Sequence, residues 1–280
     1  MKKILFILIL TITQSVFGSC DGHNESFTIS DPKDGLPFIV TAKVYRPNVK
    51  QFPVIFILPP IVGETVLDRR MAEKFCNNNM GSYILNVVRA TTPEEEVSNL
   101  LIHDDSYIRA IRGVRVVKDK LEADPAVTGE FGIMGMSLGG MLAAYVSGVE
   151  ASFKATLIVV GAGNVPSVLA YSDQEIVKAQ REARQKYYHL STQKEYEDLL
   201  RKNLSEDPLD VIQNIPPESS YFFIAKSDTT VPTRNQIELK DKASRPLVYE
   251  MWGNHLSGLV KAGTIHAGKI TMFFKQKFMK

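Results

Sequence analysis

The feature that most constrains the fold is a regular alternation of short apolar runs with longer amphipathic segments. Apolar runs such as 53–58 and 130–135 have the length and composition of strands that are buried on both faces. In contrast, apolar residues within 107–121 recur three and four positions apart, which predicts an amphipathic helix over about 104–122. Strands that alternate with helices favour an α/β fold built around a largely parallel sheet.

The same criteria predict the other elements of the sheet and one long helix near the C-terminus. The helix covers about 257–277. The predicted strands are 38–45, 53–58, 82–88, 130–135, 155–161, 221–226 and 246–252.

A stretch of different character, about 165–215, separates two of these strands. It is rich in charge, and Ser172 with Glu175 and Thr192 with Glu195 have the spacing of helix capping boxes. One interpretation is a small helical cap inserted into a single domain over 26–280. The other is a long crossover that plays no part in substrate choice.

Residues 1–19 have the organisation of a secretory signal peptide. Lys2 and Lys3 form a short positive region, and residues 4–12 are apolar except for one threonine. This apolar segment is too short for a lasting transmembrane span, so we expect an exported protein.

Two cleavage patterns fit the end of this segment. The small residues before Cys20 resemble a bacterial lipobox, which predicts a membrane-anchored lipoprotein lipidated at Cys20, although Phe17 stands where leucine is usual. Alternatively, Val16 and Gly18 fit an ordinary signal-peptidase site, which predicts a periplasmic or secreted protein. We favour the lipoprotein pattern, which leaves Cys76 as an unpaired, buried apolar residue of a helix.

Charge and composition exclude several classes of function. The formal net charge is +2, and Lys2 and Lys3 account for it, so the mature chain is neutral and we expect no nucleic-acid partner. The sequence has no cluster of cysteine and histidine with metal-ligand spacing and no phosphate-binding loop. We therefore expect no metal and no other cofactor. Membrane contact is expected only through the N-terminal lipid, and the oligomeric state stays open.

The strongest chemical signal is G-x-S-x-G at 135–139, placed between a buried strand and a helix-forming stretch. In this context a serine on a very sharp turn projects its hydroxyl from the end of the sheet. Gly135 and Gly139 are then forced close together, where only small residues fit. Ser137 is the candidate nucleophile.

Two further candidates complete a set that could activate Ser137. Asp228 follows directly after the predicted strand 221–226, at the edge where parallel sheets bind ligands. His255 follows the last predicted strand, which makes it the preferred base, with His266 as the fallback. Asp207 and Asp210 are less well placed as the acid, because they lie within or beside the charged stretch. The remaining histidines are assigned no catalytic role, and His103 is expected in a loop or a helix cap.

An oxyanion hole needs two backbone N–H donors. The first is expected from Leu138, the residue after the nucleophile. The second should come from the loop after strand 53–58, which begins with two prolines that have no N–H. Ile61 is therefore the first residue there that can donate, and Val62 is the alternative.

The order Ser137, Asp228, His255, together with the strand–turn–helix context, resembles the α/β-hydrolase superfamily. The sequence looks most like exported esterases and dienelactone-hydrolase-like members, over about 26–280. The resemblance implies an eight-stranded, mostly parallel sheet and an acyl-enzyme mechanism. Many relatives have His-Gly where this chain has Pro59-Pro60, which leaves the second oxyanion donor less secure.

The leading hypothesis is a carboxylic ester hydrolase, with thioesters as further substrates, acting on a small-molecule acyl ester. A second hypothesis is a non-catalytic, membrane-tethered binding protein that keeps the fold. A third is an acyltransferase that uses the same three residues, because one triad serves both reactions. Likeness of fold does not choose among these.

Overall fold

The computed structural model describes residues 20–30, 37–87 and 91–279. The predicted signal peptide, residues 1–19, lies outside the described residues, as does residue 88 at the end of one predicted strand. Within the described ranges, no helix is both long enough and apolar enough to cross a membrane.

In this part of the chain, eight strands form one sheet in the order β1-β2-β4-β3-β5-β6-β7-β8. The second strand runs antiparallel to both of its neighbours, and all other neighbouring pairs are parallel. The mostly parallel, eight-stranded sheet is therefore confirmed. The strands are β1 His23–Ser30, β2 Pro37–Tyr45, β3 Phe52–Leu58, β4 Gly81–Asn86, β5 Val127–Met136, β6 Ala155–Val159, β7 Ser220–Ala225 and β8 Leu247–Met251.

Helices cover both faces of the sheet. One buried cluster joins the sheet to α3 and α4, and a second joins its other face to α1 and α11. The helices are α1 Val66–Cys76, α2 Pro93–Ser98, α3 Ile102–Glu122, α4 Leu138–Val149, α5 Val165–Tyr171, α6 Glu175–Tyr187, α7 Gln193–Asn203, α8 Pro208–Val211, α9 Thr233–Lys242, α10 His255–Gly263 and α11 Ala267–Phe278.

Helices α5 to α8 lie between β6 and β7, in the charged stretch 165–215. The predicted capping box of Thr192 and Glu195 is present at the start of α7. The one predicted at Ser172 is wrong: the N-cap of α6 is Gln174, whose backbone N–H donates to Ser172 Oγ at 3.2 Å. The hydroxyl therefore closes a local turn before the helix instead of capping it.

The single C-terminal helix predicted over 257–277 is wrong. The predicted helix is interrupted after α10, and His266 is the N-cap residue of α11. At this interruption of the helix, the His266 ring packs against the Tyr249 ring of β8, with the two ring centroids 4.5 Å apart. This packing gives His266 a structural environment.

The first strand and the first cysteine also differ from expectation. β1 pairs with β2 at the edge of the sheet and buries Phe27 and Ile29, yet it was not predicted. Cys20, just before β1, forms a disulfide with Cys76 at the end of α1, with a Cα–Cα distance of 5.8 Å. The prediction of an unpaired Cys76 is wrong. Because a disulfide sulfur cannot also carry a lipid thioether, the lipidation predicted at Cys20 is incompatible with this bond.

Candidate active site

Ser137 lies on the sharp turn between β5 and α4. Its backbone has φ 56° and ψ −121°, a conformation that L residues rarely adopt. The turn is fixed because Ser137 N–H donates to the Val159 carbonyl at 2.9 Å while Met141 N–H donates back to Ser137 at 3.1 Å. The side chain is thereby held at the carboxyl edge of the parallel strands.

Two glycines allow this turn to form. A Cβ on Gly135 would lie 1.9 Å from the Gly139 carbonyl oxygen, and one on Gly139 would lie 1.9 Å from the Leu58 carbonyl oxygen. Neither distance is compatible with a side chain unless the backbone moves. The close approach predicted for these two glycines is confirmed.

Asp228 lies just past β7, in a loop that surrounds its carboxylate with donors. Oδ1 accepts from the backbone N–H groups of Thr230 at 3.0 Å and Val231 at 2.9 Å. Oδ2 accepts from Gln236 Nε2 and from His255 Nδ1, both at 2.8 Å. The side chain is fully buried, and all four hydrogen bonds are donated to its two oxygens.

His255 joins the acid to the serine. Its Nε2 lies 3.0 Å from Ser137 Oγ. Since the Asp228 carboxylate accepts the proton on Nδ1, Nε2 is the nitrogen left to accept from the hydroxyl. His255 is the first residue of α10, after β8, and not part of a loop as the sequence suggested. The structure thus brings together the three residues that the sequence selected.

The other candidates lie elsewhere. Burial, with Lys269 and Lys261 nearby, lowers the pKa of His266, whose ring packs on Tyr249. Asp207 caps α8 and accepts from the backbone N–H groups at the start of α5. These contacts are structural.

The two residues predicted to supply the oxyanion-hole amides, Leu138 and Ile61, line the same cavity. Leu138 is the first residue of α4, and Ile61 lies in a turn closed by Gly63 N–H donating to the Pro60 carbonyl at 2.9 Å. Among the described residues, neither the Leu138 nor the Ile61 N–H has an acceptor. Both residues line one cavity with Ser137, whereas Val62 does not line it and is largely exposed.

This cavity has a volume of about 390 Å³ and extends from Ser137 between α3 and the helices that follow β6. Most of its wall is apolar. The apolar lining comprises Ile61, Ile102, Leu138, Met141, Val165, Val168, Leu169, Ile176, Val177 and Val231. A largely apolar pocket of this size, with a few polar groups, is typical of small-molecule sites.

Two residues that support this site were missed by the sequence analysis. Gln236, fully buried on α9, holds Asp228 and also donates to the Val231 carbonyl at 2.7 Å. Asp173, after α5, accepts from the hydroxyls of Thr229 and Thr230, which lie in the acid loop, the loop after β7 that holds Asp228. No sequence motif identifies either residue, because each contact depends on how distant elements pack.

The sequence matches no protein-family model and no curated protein. Many solved structures share its fold. Est1E from Butyrivibrio proteoclasticus has a TM-score of 0.64 at 12% identity, covering 91% of this chain and 99% of that chain. Acetyl xylan esterase from Paenibacillus sp. R4 has a TM-score of 0.67 at 15% identity, covering 91% and 89%. GrgF from Penicillium sp. sh18, described as an alpha/beta hydrolase, has a TM-score of 0.65 at 12% identity, covering 92% and 100%.

Proposed function

We propose that this chain, which has the α/β-hydrolase fold, is a serine hydrolase that cleaves carboxylic esters, with thioesters as further substrates. The observation that carries the proposal is the continuous chain of hydrogen bonds from Ser137 through His255 to Asp228 at the mouth of an apolar cavity. A serine hydroxyl is a weak nucleophile until a base takes its proton. Two structural neighbours, an acetyl xylan esterase and Est1E, the latter also known with bound ferulic acid, agree with this class of reaction.

In the first half of the proposed reaction, His255 Nε2 takes the proton of Ser137 as Oγ attacks the ester carbonyl. The N–H groups of Leu138 and Ile61 would donate to the oxyanion, which is the charge that develops in the transition state. Nε2 then returns the proton to the leaving alcohol, which leaves the acyl group on Ser137. Asp228 keeps the imidazole in the required tautomer and stabilises its charged form.

In the second half, water replaces the alcohol. His255 Nε2 takes a proton from the water as the water oxygen attacks the acyl carbon. His255 then returns that proton to Ser137 Oγ as the carboxylic acid leaves. No redox step or cofactor enters this sequence. The helices after β6, which form part of the cavity wall, act in this proposal as a cap that selects the substrate.

We also propose that the protein is exported and acts in an oxidising compartment. Cys20 lies one residue after the predicted signal peptide, and its sulfur is bonded to Cys76. Disulfides persist mainly outside the cytosol. The bond therefore favours ordinary signal cleavage, with Val16 and Gly18 before the cut, over lipidation at Cys20.

The proposed activity is tested with a series of ester and thioester substrates on the chain that starts at residue 20. The parent should turn over at least one of them, and Ser137→Ala and His255→Ala should each lower kcat by about 10⁴-fold or more. Product analysis with an added alcohol separates hydrolysis from acyl transfer. A folded parent without activity, or a Ser137→Ala variant with full activity, contradicts the proposal.

A further inference from the structure

Helix α6 forms part of the cavity wall, yet its buried side chains are not apolar. Val177 and Gln180 of this helix line the cavity, whereas its two buried side chains are Arg181 and Arg184. The apolar side chains of α6 are only partly buried or are exposed. A surface helix is usually held by an apolar stripe that faces the core. The position of α6 therefore depends largely on polar contacts.

Arg184, in the last turn of α6, is fully buried and makes hydrogen bonds through all three nitrogens of its guanidinium. Nε donates to the Glu96 carbonyl at 2.7 Å, and Nη2 donates to the Asn99 carbonyl at 3.1 Å. Nη1 donates to Tyr196 Oη at 3.2 Å and lies 3.0 Å from His103 Nε2. Since a guanidinium can only donate, this nitrogen of His103 is the acceptor.

These four acceptors carry no charge. Two are backbone carbonyls and one is a tyrosine hydroxyl. Burial, with the charge of Arg184, lowers the pKa of His103 to about 3, so the fourth acceptor is a neutral ring at ordinary pH. A buried cation is costly unless its donors are paired, so a displaced Arg184 would lose several bonds together. The guanidinium therefore favours one position of α6 strongly over others.

The bonds of Arg184 join two separate parts of the cavity wall. Glu96 and His103 line the cavity from α2 and α3, whereas Val177 and Gln180 line it from α6. Residues 177, 180 and 184 are three and four positions apart, so they lie on one side of α6. That side of the helix lines the cavity near its start and is bonded to residues 96–103 near its end.

Tyr188 strengthens the same junction. It follows α6 directly, four positions after Arg184, and its hydroxyl donates to the Ser98 carbonyl at 2.7 Å. In the sequence, Ser98 lies between the two residues whose carbonyls bind the guanidinium. Loss of the Tyr188 hydroxyl would weaken the junction without leaving a buried charge unpaired.

We propose that Arg184, supported by Tyr188, is a positioning residue that fixes α6 against residues 96–103 and so sets the chain length of the ester that the cavity prefers. A short ester on Ser137 does not reach this part of the wall, whereas a longer one extends along it. The inference rests on the proposed ester hydrolysis for its kinetic test, but its binding test needs no turnover.

Three substitutions test this role. Arg184→Met removes all four bonds and keeps a long, unbranched side chain. Tyr188→Phe is the milder change and removes only the bond to Ser98. Tyr187→Phe is the matched control, because Tyr187 is 56% exposed and its hydroxyl has no partner among the described residues. Thermal unfolding establishes which variants are folded.

The kinetic test uses linear esters of increasing length, first in the acyl group and then in the alcohol. In one series, kcat/KM of the parent should rise to an optimum. At that length, Arg184→Met should lower kcat/KM about tenfold or more and Tyr188→Phe about threefold, because several bonds or one bond are lost. The loss should be in KM, with kcat little changed. For the shortest ester, both variants should stay within about twofold of the parent, and Tyr187→Phe should match it throughout.

Two results overturn the inference. One is a parent without an optimum in either series, or an optimum that both folded variants leave unchanged. The other is an equal loss on the shortest and the preferred ester, which is the result expected if Arg184 and Tyr188 only stabilise the fold. If Arg184→Met does not fold, Tyr188→Phe decides the outcome alone.

The binding test separates this inference from the proposed function. In Ser137→Ala protein, calorimetry measures the affinity of linear primary alcohols and linear carboxamides of increasing length. In one series, affinity should rise about fourfold per methylene up to the optimum, and Tyr188→Phe should lower it about threefold there. That result supports the inference even if the parent hydrolyses no ester. Ester hydrolysis by the parent, with the same length dependence of binding in both proteins, rejects the inference and leaves the function standing.

Discussion

Gln236 Nε2 donates to Asp228 Oδ2 at 2.8 Å, and the same oxygen accepts from His255 Nδ1. The carboxylate is thus held from behind by a residue of α9 while it holds the imidazole in front. Gln236 is itself fixed, because its Oε1 accepts from Ala225 N–H at 3.2 Å. This arrangement makes Gln236 a positioning residue for the acid.

Gln236→Leu should lower kcat about tenfold, because a hydrogen bond to a charged group contributes about 1.5–3 kcal/mol. It should also lower the free energy of unfolding, since Ala225 N–H and the Val231 carbonyl lose a partner. Gln236→Glu tests the cause, as it keeps an acceptor for Ala225 but places a carboxylate against Asp228. Both its kcat and its free energy of unfolding should fall further than in Gln236→Leu, because two carboxylates in contact at a buried site repel one another. Unchanged kcat in both folded variants would show that Gln236 is only structural.

Asp173 joins the segment after α5 to the acid loop, and its exposed carboxylate accepts from Thr229 and Thr230. These hydroxyls lower its pKa. Because the pKa is lower in the folded protein than in the unfolded chain, the contribution of the Asp173 carboxylate to the free energy of unfolding is complete at neutral pH. It is lost as the pH falls below about 4, first through the pKa of the unfolded chain and then through that of the folded protein. A double-mutant cycle of Asp173→Asn with Thr229→Val should give a coupling of about 0.5–1 kcal/mol in unfolding at pH 7. The coupling should shrink at pH 3, and strict additivity at pH 7 would contradict the contact.

The sharp turn at Ser137 should not tolerate a methyl group at Gly139. Because the added Cβ would lie 1.9 Å from the Leu58 carbonyl oxygen, Gly139→Ala should destabilise the fold by about 2–4 kcal/mol and abolish activity. Gly268→Ala is the matched control, since a Cβ there meets nothing within 4 Å. Because Gly268 lies in α11 and alanine favours helix, Gly268→Ala should raise the free energy of unfolding by up to about 1 kcal/mol. Thermal unfolding measures both, and a Gly139→Ala protein as stable and active as the parent contradicts the geometry.

The disulfide between Cys20 and Cys76 closes a loop of 56 residues. Chain-entropy arguments assign such a loop about 4 kcal/mol of stabilisation. The Cys20→Ser, Cys76→Ser double variant should therefore unfold at lower temperature than the oxidised parent and match the reduced parent. Mass spectrometry of the exported, unreduced protein should find no thiol to alkylate and no lipid. Lipid on Cys20 would instead establish the lipoprotein pathway.

The sequence predicted most of the site because its motifs are local. Two patterns combine residue type with position in the sheet: G-x-S-x-G between a strand and a helix, and an aspartate directly after a buried strand. Both predictions agree with the geometry around Ser137 and Asp228. The edge strand β1 was missed because only Phe27 and Ile29 give it an apolar alternation.

The features that the sequence did not reveal depend on tertiary contacts. Arg184 lies 3.0 Å from His103 Nε2, 81 positions away in the sequence, and the partner of Cys20 lies 56 positions away. No spacing rule connects such pairs. The break after α10 likewise depends on how His266 packs on Tyr249, a residue of β8.

The most direct test of the central claim is covalent labelling of the folded protein, from residue 20 onward, with a fluorophosphonate probe, read by peptide mass spectrometry. An activated serine reacts with such a probe, whereas an ordinary hydroxyl does not. We predict one modified peptide with the label on Ser137, strongly reduced labelling in His255→Ala, and none in Ser137→Ala. No labelling of the folded parent, or labelling that persists in Ser137→Ala, would contradict the account.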